Sequence, residues 1–154
     1  MSGYVCLDAS VLVKIITYEE DSEAAAGLME EIVRKRQLVA LPAFAWAEVG
    51  SVLRQKVKRG LLTAEEAEAA WDGFCSLKIL HYLSDGEPGQ AAWRMAVEED
   101  FPTLYDAAYL AVAELLQNEG THCLFWTADK QLAEGLGAKK DYIRYLGDYT
   151  HEQD

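Results

Sequence analysis

The sequence predicts a single α/β domain: a three-layer α/β/α sandwich around a central, mainly parallel sheet. Short apolar runs of strand length alternate with longer segments of helical period, as in repeated βα units. The first run, Tyr4 to Leu7, is apolar at successive positions, which is typical of a parallel strand covered on both faces. The chain has 154 residues, 51% of them apolar, enough for one core. We expect one domain, residues 1–147, and a short C-terminal tail, 148–154.

The individual elements follow from these runs and from the residues that bound them. The predicted strands are Tyr4–Leu7, Leu38–Leu41, Lys78–Leu83, Cys123–Thr127 and Tyr142–Leu146. The predicted helices open after Asp8, span Ser22–Lys35, Pro42–Lys58, Thr63–Leu77, Pro88–Glu99 and Leu104–Asn118, and run from Asp129 through Leu136. Gly60 and Gly120 follow two helix ends as C′ glycines commonly do, and Thr63 with Glu66 forms a capping box.

The formal net charge is −12, which argues against broad, sequence-independent attraction to nucleic acid. A nucleic-acid function would then depend on something local. One such device is a bound divalent cation, which inverts the sign of a carboxylate cluster. Another is a basic stripe, defined by Arg54, Lys56, Lys58 and Arg59, although a solvated helix face is the favoured interpretation of those four residues.

The cysteines and the N-terminus bear on location. Cys6, Cys75 and Cys123 lie among apolar residues without a zinc or CxxC pattern, so buried free thiols and a reducing compartment are predicted. No basic region followed by a long apolar stretch opens the chain, and the longest apolar span, 107–116, is too short for a bilayer. We expect a cytoplasmic protein that does not associate with membranes.

Four acidic residues lie in apolar surroundings. Asp8 closes the first strand, and Asp129 follows the fourth. Asp106 falls in the first turn of its predicted helix, and Glu48 about two turns into its own. Ligands of parallel α/β sheets bind beyond the carboxyl ends of the strands, where all four carboxylates can meet. The sequence therefore predicts a metal site there.

Four carboxylates brought together need counter-charge, because two unit charges 4 Å apart repel by about 4 kcal/mol at an effective dielectric of 20. Mg²⁺ and Mn²⁺ prefer oxygen ligands and relieve this repulsion. A pair of such ions can activate a water and stabilise the leaving oxygen of a phosphodiester. Hydrolysis of a nucleic-acid backbone is the chemistry that this arrangement suits.

Each acid also has a structural interpretation. Asp8 and Asp129 can simply N-cap the helices that follow them, and Asp106 can be the acidic half of a capping arrangement with Thr103. Glu48 is different, because no lysine or arginine lies three or four positions away and its neighbours are apolar. A metal ligand is the favoured interpretation for Glu48.

Neighbouring residues supply further candidates. Ser10 and Thr127 can hold Asp8 and Asp129 in place as outer-shell groups, although helix capping and turn bonding explain both hydroxyls equally well. The tryptophans are interpreted as core or interface residues rather than base-stacking platforms. They are Trp46, Trp71, Trp93 and Trp126.

At these acidic positions the sequence resembles the PIN-domain family, and within it the VapC-like toxins. The segment Leu7 to Val13 is similar to the family's opening strand with its first metal-binding aspartate. Ala47-Glu48-Val49 lies where the family has its acidic helix residue. The segment from Tyr105 to Ala113 resembles the family's most distinctive motif, and Trp126 to Asp129 its last acidic one. The ordered set covers nearly the whole chain.

The resemblance implies that Asp8, Glu48, Asp106 and Asp129 bind Mg²⁺ or Mn²⁺ and that RNA is cut by a metal-activated water. Glu48 or a metal-bound hydroxide would deprotonate that water. A protein antitoxin that blocks the site and a homodimer are also implied. The alternative hypothesis is a non-catalytic PIN-fold protein that binds a partner. A phosphoryl-transfer protein using Asp8 as acceptor is disfavoured, because no second aspartate lies two residues on.

Overall fold

The computed structural model describes residues 3–84 and 86–150. The strands within these ranges are β1 (Tyr4–Leu7), β2 (Leu38–Pro42), β3 (Leu80–Leu83), β4 (Cys123–Thr127) and β5 (Ile143–Tyr145). The helices are α1 (Ala9–Ile16), α2 (Ser22–Arg34), α3 (Ala45–Lys58), α4 (Ala64–Cys75), α5 (Gly86–Glu98), α6 (Tyr105–Asn118) and α7 (Lys130–Gly137). A 3₁₀ turn, Leu146–Asp148, follows β5. Part of the predicted tail, 151–154, lies outside the described residues.

The five strands form one sheet in the order β3-β2-β1-β4-β5, and every pairing is parallel. The predicted α/β sandwich is therefore confirmed. Crossovers between parallel strands are right-handed, so the reversal of strand order at β1 places the helices before and after β3 on opposite faces. The carboxyl ends of β1 and β4 flank that reversal, which is where α/β sheets bind ligands. We call this end of the sheet the carboxyl edge, and the opposite end the amino edge.

Helix α6 is the element that the core surrounds most completely. It packs across β1, β2 and β4, and every residue from Ala107 to Ala113 is buried. Its alanines let the helix backbone approach the sheet closely, and Tyr109 fills the remaining space. Because α6 is fixed by this burial, its first turn, which carries Asp106, is held rigidly at the carboxyl edge.

Five helix starts, those of α3 to α7, differ from the sequence-based prediction by one to three residues. Helix α3 begins at Ala45 and not at Pro42, because Pro42 is the last residue of β2 and pairs with Leu83. Glu48 consequently lies in the first turn of α3 instead of about two turns into it. Helix α6 begins at Tyr105 without a side-chain cap.

The absence of that cap removes the structural interpretation of Asp106, since Thr103 does not cap α6. Other predicted termini are confirmed. Thr63 and Glu66 form the capping box with N···O distances of 2.9 and 3.1 Å. Gly60 and Gly120 have φ of 73° and 84°, a left-handed conformation that glycine adopts without strain at C′.

One burial prediction was wrong. Cys6 and Cys123 are buried, but Cys75 ends α4 in solvent. Trp46 and Trp93 are 54% and 60% exposed, which excludes the core for these two residues, and an interface position stays a prediction. Within the described ranges, none of the helices combines the length and apolar character needed to cross a membrane.

Candidate active site

Asp8 is the buried end of the site. Its backbone N–H donates to Trp126 O at 3.2 Å, so the pairing of β1 with β4 continues one residue past the strand and fixes Asp8 at the carboxyl edge. The extended backbone of Asp8 makes it the N-cap of α1, and its Oδ1 accepts from the N–H of Val11 at 3.2 Å. Capping and a buried functional carboxylate are therefore combined in one residue, which is only 6% exposed.

Two hydroxyls hold the Asp8 carboxylate. Ser10 Oγ donates a short hydrogen bond to Asp8 Oδ1 and accepts from the Ala128 N–H at 3.0 Å. Thr127, which is fully buried, also hydrogen-bonds to Asp8, and its Oγ1 accepts from the Asp129 N–H at 3.0 Å. The hydroxyls thus join the start of α1 to the loop between β4 and α7.

Glu48 projects from the first turn of α3 and is partly buried. Burial raises its pKa, the charges of Asp106 and Asp8 add to the effect, and the Tyr109 hydroxyl opposes it. That hydroxyl is buried and makes no complete hydrogen bond within the described part of the chain. The Tyr109 phenol therefore lies beside Glu48 as an unsatisfied donor.

Asp106 and Asp129 form the exposed side of the site. Asp106 lies in the first turn of α6, where the helix dipole favours a negative charge. Asp129 N-caps α7, and its Oδ1 accepts from the Leu132 N–H at 3.1 Å. The capping interpretation is thus confirmed for Asp129 as well, without excluding a second duty for its other carboxylate oxygen.

All four acids line one cavity of ≈ 400 Å³ at the carboxyl edge, which we call the acidic cavity. Ser10 also lines it. A larger groove of ≈ 740 Å³ between α3 and α4 contains none of the four. In residues 3–84 and 86–150, no three acidic, histidine or cysteine side chains are close enough to enclose an ion. The carboxylates therefore share a cavity but stand apart from one another.

The carboxylates nevertheless interact electrostatically across the cavity. Burial and, to a smaller extent, the charge of Asp106 raise the pKa of Asp8 to about 6, against the opposing effect of its hydrogen bonds. Burial also raises the pKa of Asp106, and the charge of Asp129 adds to this shift. The fold therefore holds several carboxylates where their negative charge is unfavourable. The donors are all oxygens, which Mg²⁺ and Mn²⁺ prefer, so the chemistry of the donor set fits such an ion.

Three further charged residues line the acidic cavity, and the sequence did not predict their place there: Lys14, Glu19 and Lys56. Spacing contained a signal for one of them, since Lys56 follows Glu48 by eight residues, two turns along the same face of α3. Its assignment to a solvated basic stripe was wrong, because its side chain is 21% exposed and pairs with Glu19. Tyr109 follows Asp106 by three residues, which also places both on one side of α6.

The chain is similar to known proteins in both sequence and fold. A sequence profile described as PIN domain matches residues 5–135. The chain is 34% identical over 136 residues to ribonuclease VapC3 of Pyrobaculum aerophilum, with 86% of this chain and 94% of that protein covered.

Two solved structures share the fold. The crystal structure of PAE2754 from Pyrobaculum aerophilum matches with a TM-score of 0.60 and 21% sequence identity. The match covers 92% of this chain and 83% of the PAE2754 chain. The crystal structure of VapBC2 from Rickettsia felis, bound to a DNA fragment from its promoter, matches with a TM-score of 0.57 and 12% sequence identity. The match covers 92% of this chain and 98% of the matched chain.

Proposed function

Because the chain belongs to the PIN-domain family, we propose that it is a divalent-metal-dependent endoribonuclease and the toxin of a toxin–antitoxin pair. One observation carries the proposal. Four carboxylates from four different places in the chain line a single cavity, and within the described residues none of them forms an ion pair with lysine or arginine. Such a set is unfavourable unless a cation joins it.

The proposed roles of the four acids follow from how deeply each is buried. Asp8, held by Ser10 and Thr127, supplies a fixed ligand, and Asp106 and Asp129 supply ligands on the open side. Mg²⁺ or Mn²⁺ bound by these carboxylates and Glu48 would activate water and stabilise the leaving oxygen of an RNA phosphodiester. Glu48 or a metal-bound hydroxide would take the proton from that water.

The biological assignment rests on the relatives. VapC3 of Pyrobaculum aerophilum is named a ribonuclease, and VapBC2 of Rickettsia felis is a complex with promoter DNA. We infer for this chain an RNA substrate, a protein antitoxin that blocks the acidic cavity, and a homodimer. Trp93 and Val97 lie one turn apart on α5 and remain 60% and 64% exposed, which offers apolar surface for assembly.

The test is cleavage of total cellular RNA by the purified protein in Mn²⁺ or Mg²⁺ and in EDTA. We expect cleavage only with metal, and at least a roughly 10³-fold loss in Asp8→Asn and Asp106→Asn, since metal-ion catalysis supplies several kcal/mol. Asn preserves the size of each side chain and the N-cap at Asp8. Calorimetric titration with Mn²⁺ should show weakened binding in both variants.

The matched control is Glu114→Gln, which also neutralises an acid on α6 but at the amino edge. It should retain activity and Mn²⁺ affinity. Equal cleavage in EDTA, or full activity of Asp8→Asn, would overturn the metal-nuclease mechanism. Failure to cleave any RNA, with a protein partner still bound, would instead support the non-catalytic alternative.

A further inference from the structure

The acidic cavity also contains a cationic corner. Lys14, from α1, and Lys56, from α3, line the cavity together with Glu19, from the segment between α1 and α2. The Lys14 Nζ lies 3.3 Å from Glu19 Oε2, and the Lys56 Nζ lies 3.3 Å from Glu19 Oε1. One carboxylate thus positions two ammonium groups from two different helices beside the four candidate metal ligands.

These lysines are not ordinary solvated side chains. Their side chains are 14% and 21% exposed, whereas the paired lysines Lys130 and Lys139 are 67% and 62% exposed. A Thr17 hydroxyl contact at 3.0 Å fixes Glu19 further. Because the lysine rotamers are already restricted by the fold, less conformational entropy is lost when they meet a ligand.

Both lysines keep hydrogen-bonding capacity. Lys14 donates to Glu19 and, at 2.8 Å, to the Glu20 carbonyl, which leaves one of its three N–H groups without a partner among the described residues. Lys56 has only its ion pair with Glu19 there. One carboxylate shared by two ammonium groups also leaves a net positive charge at this corner. Its natural ligand is an anion with several acceptor oxygens.

The charge of the cavity restricts where such an anion can bind. Five acidic and two basic side chains line it, a formal charge of −3, and the whole chain carries −12. A phosphodiester entering this cavity is repelled everywhere except at the two lysines and at bound cations. Phosphate contacts from lysine are the main source of affinity for a nucleic-acid backbone.

We propose that Lys14 and Lys56 bind an RNA backbone phosphate adjacent to the scissile one, and that Glu19 holds both lysines in place. This inference rests on the proposed function, because it concerns the same RNA. It assigns substrate affinity to two residues that do not hold metal. It also explains how a strongly acidic protein retains one local point of attachment for RNA.

The experiment measures kcat and KM for the RNA that the wild-type protein cleaves, in Mn²⁺ and at several KCl concentrations. Lys14→Gln and Lys56→Gln should each raise KM about tenfold, the effect of losing one charged hydrogen bond, and leave kcat unchanged. Because both lysines contact one phosphate, the Lys14→Gln/Lys56→Gln double variant should reduce the slope of log(kcat/KM) against log[KCl] by about 0.7, the value for one phosphate contact on a single strand, and each single variant should reduce it by part of that amount. Lys56→Arg should restore the slope.

The matched control is Lys139→Gln, which breaks an ion pair of 3.0 Å with Glu99 at the amino edge and changes the net charge equally. Its KM and salt slope should match the wild type. Unchanged slopes in both cavity variants, or an equal change in Lys139→Gln, would overturn the lysine assignment alone. Cleavage of no RNA by the wild-type protein would overturn the proposed function and this inference together.

Discussion

The carboxylates at the two edges of the sheet differ in whether they are paired with a cation. At the amino edge Glu114, near the end of α6, accepts from the Lys140 Nζ at 2.6 Å and from the Tyr142 hydroxyl. Glu99, just after α5, is paired with Lys139 at 3.0 Å. At the carboxyl edge, Asp106 opens the same helix α6 without any lysine or arginine partner in the described part of the chain.

This contrast separates the acids that stabilise the fold from the acids that do not. A partly exposed acid that is paired with a lysine and a phenol contributes modestly to stability. Unpaired acids gathered in one cavity are unfavourable for the fold, and the proposed cation would relieve their repulsion. Even the lysines at the carboxyl edge conform to this pattern, because they pair with Glu19 and not with the four candidate ligands.

The sharpest test of the comparison is the stability of Asp8→Asn without metal. The pKa of Asp8 is raised to about 6 by burial, so the folded protein holds this proton more tightly than the unfolded chain does. Wild-type stability should therefore fall as pH rises from about 4 to about 6, because the unfolded state loses the proton first. Asn removes the penalty, and at pH 7 we expect the variant to be more stable by about 2–3 kcal/mol.

Urea unfolding in EDTA between pH 4 and pH 7.5 measures this difference. Asp129→Asn is the control, because Asp129 is likewise an N-cap but exposed, and Asn caps as well as Asp. Its stability should remain close to that of the wild type. Wild-type and Asp8→Asn curves that run parallel across the whole pH range would contradict a destabilising Asp8.

Much of the fold was predictable because hydrophobic period alone separates the elements. The five strands and the parallel sheet followed from apolar runs such as Tyr4–Leu7, whose bounds in the structure are the predicted ones. The start of α3 was not predictable, since Pro42 is as compatible with a first helical turn as with the end of a strand. Only its pairing with β3 decides between them.

Less of the site was predictable, and for a different reason. The shared cavity of the four acids followed from their positions at strand and helix ends. The ion pairs of Glu19 depend on how α1 and α3 cross, which no local pattern encodes. The same holds for the approach of Tyr109 to Glu48, since the two residues come from different helices.

Tyr109→Phe tests whether the Tyr109 hydroxyl, at the carboxyl edge, lowers the stability of the protein while supporting its activity. Phe keeps the ring that packs edge-on against Phe44, with ring centroids 6.0 Å apart, and removes only the unsatisfied hydroxyl. Because that hydroxyl lies beside Glu48 and opposes the rise in its pKa, we expect its removal to lower RNA cleavage about 10–100-fold, the usual effect of losing an outer-shell partner. Stability without metal should rise by about 1 kcal/mol, since a buried donor without a partner is removed.

Cleavage rates and thermal unfolding, measured on the same samples, separate the two effects. Tyr142→Phe at the amino edge is the matched control, because its hydroxyl does have a partner in Glu114. We expect it to lose stability and keep its activity. A Tyr109→Phe protein that is less stable and fully active would place Tyr109 with the structural residues of the amino edge.

The smallest expected effect is that of Glu114→Gln on stability. The side chains of Glu114 and Lys140 are 33% and 17% exposed, so their ion pair is only partly screened by solvent. Gln retains a hydrogen-bond acceptor but loses the charge, and we expect a loss of about 1 kcal/mol in urea unfolding at pH 7. Glu134→Gln provides the reference, because Glu134 and Lys130 lie 4.0 Å apart at 70% and 67% exposure and should contribute nothing measurable. A stabilised Glu114→Gln protein would mean that paired acids at the amino edge are as unfavourable as the unpaired ones, and that pairing alone does not distinguish the two edges.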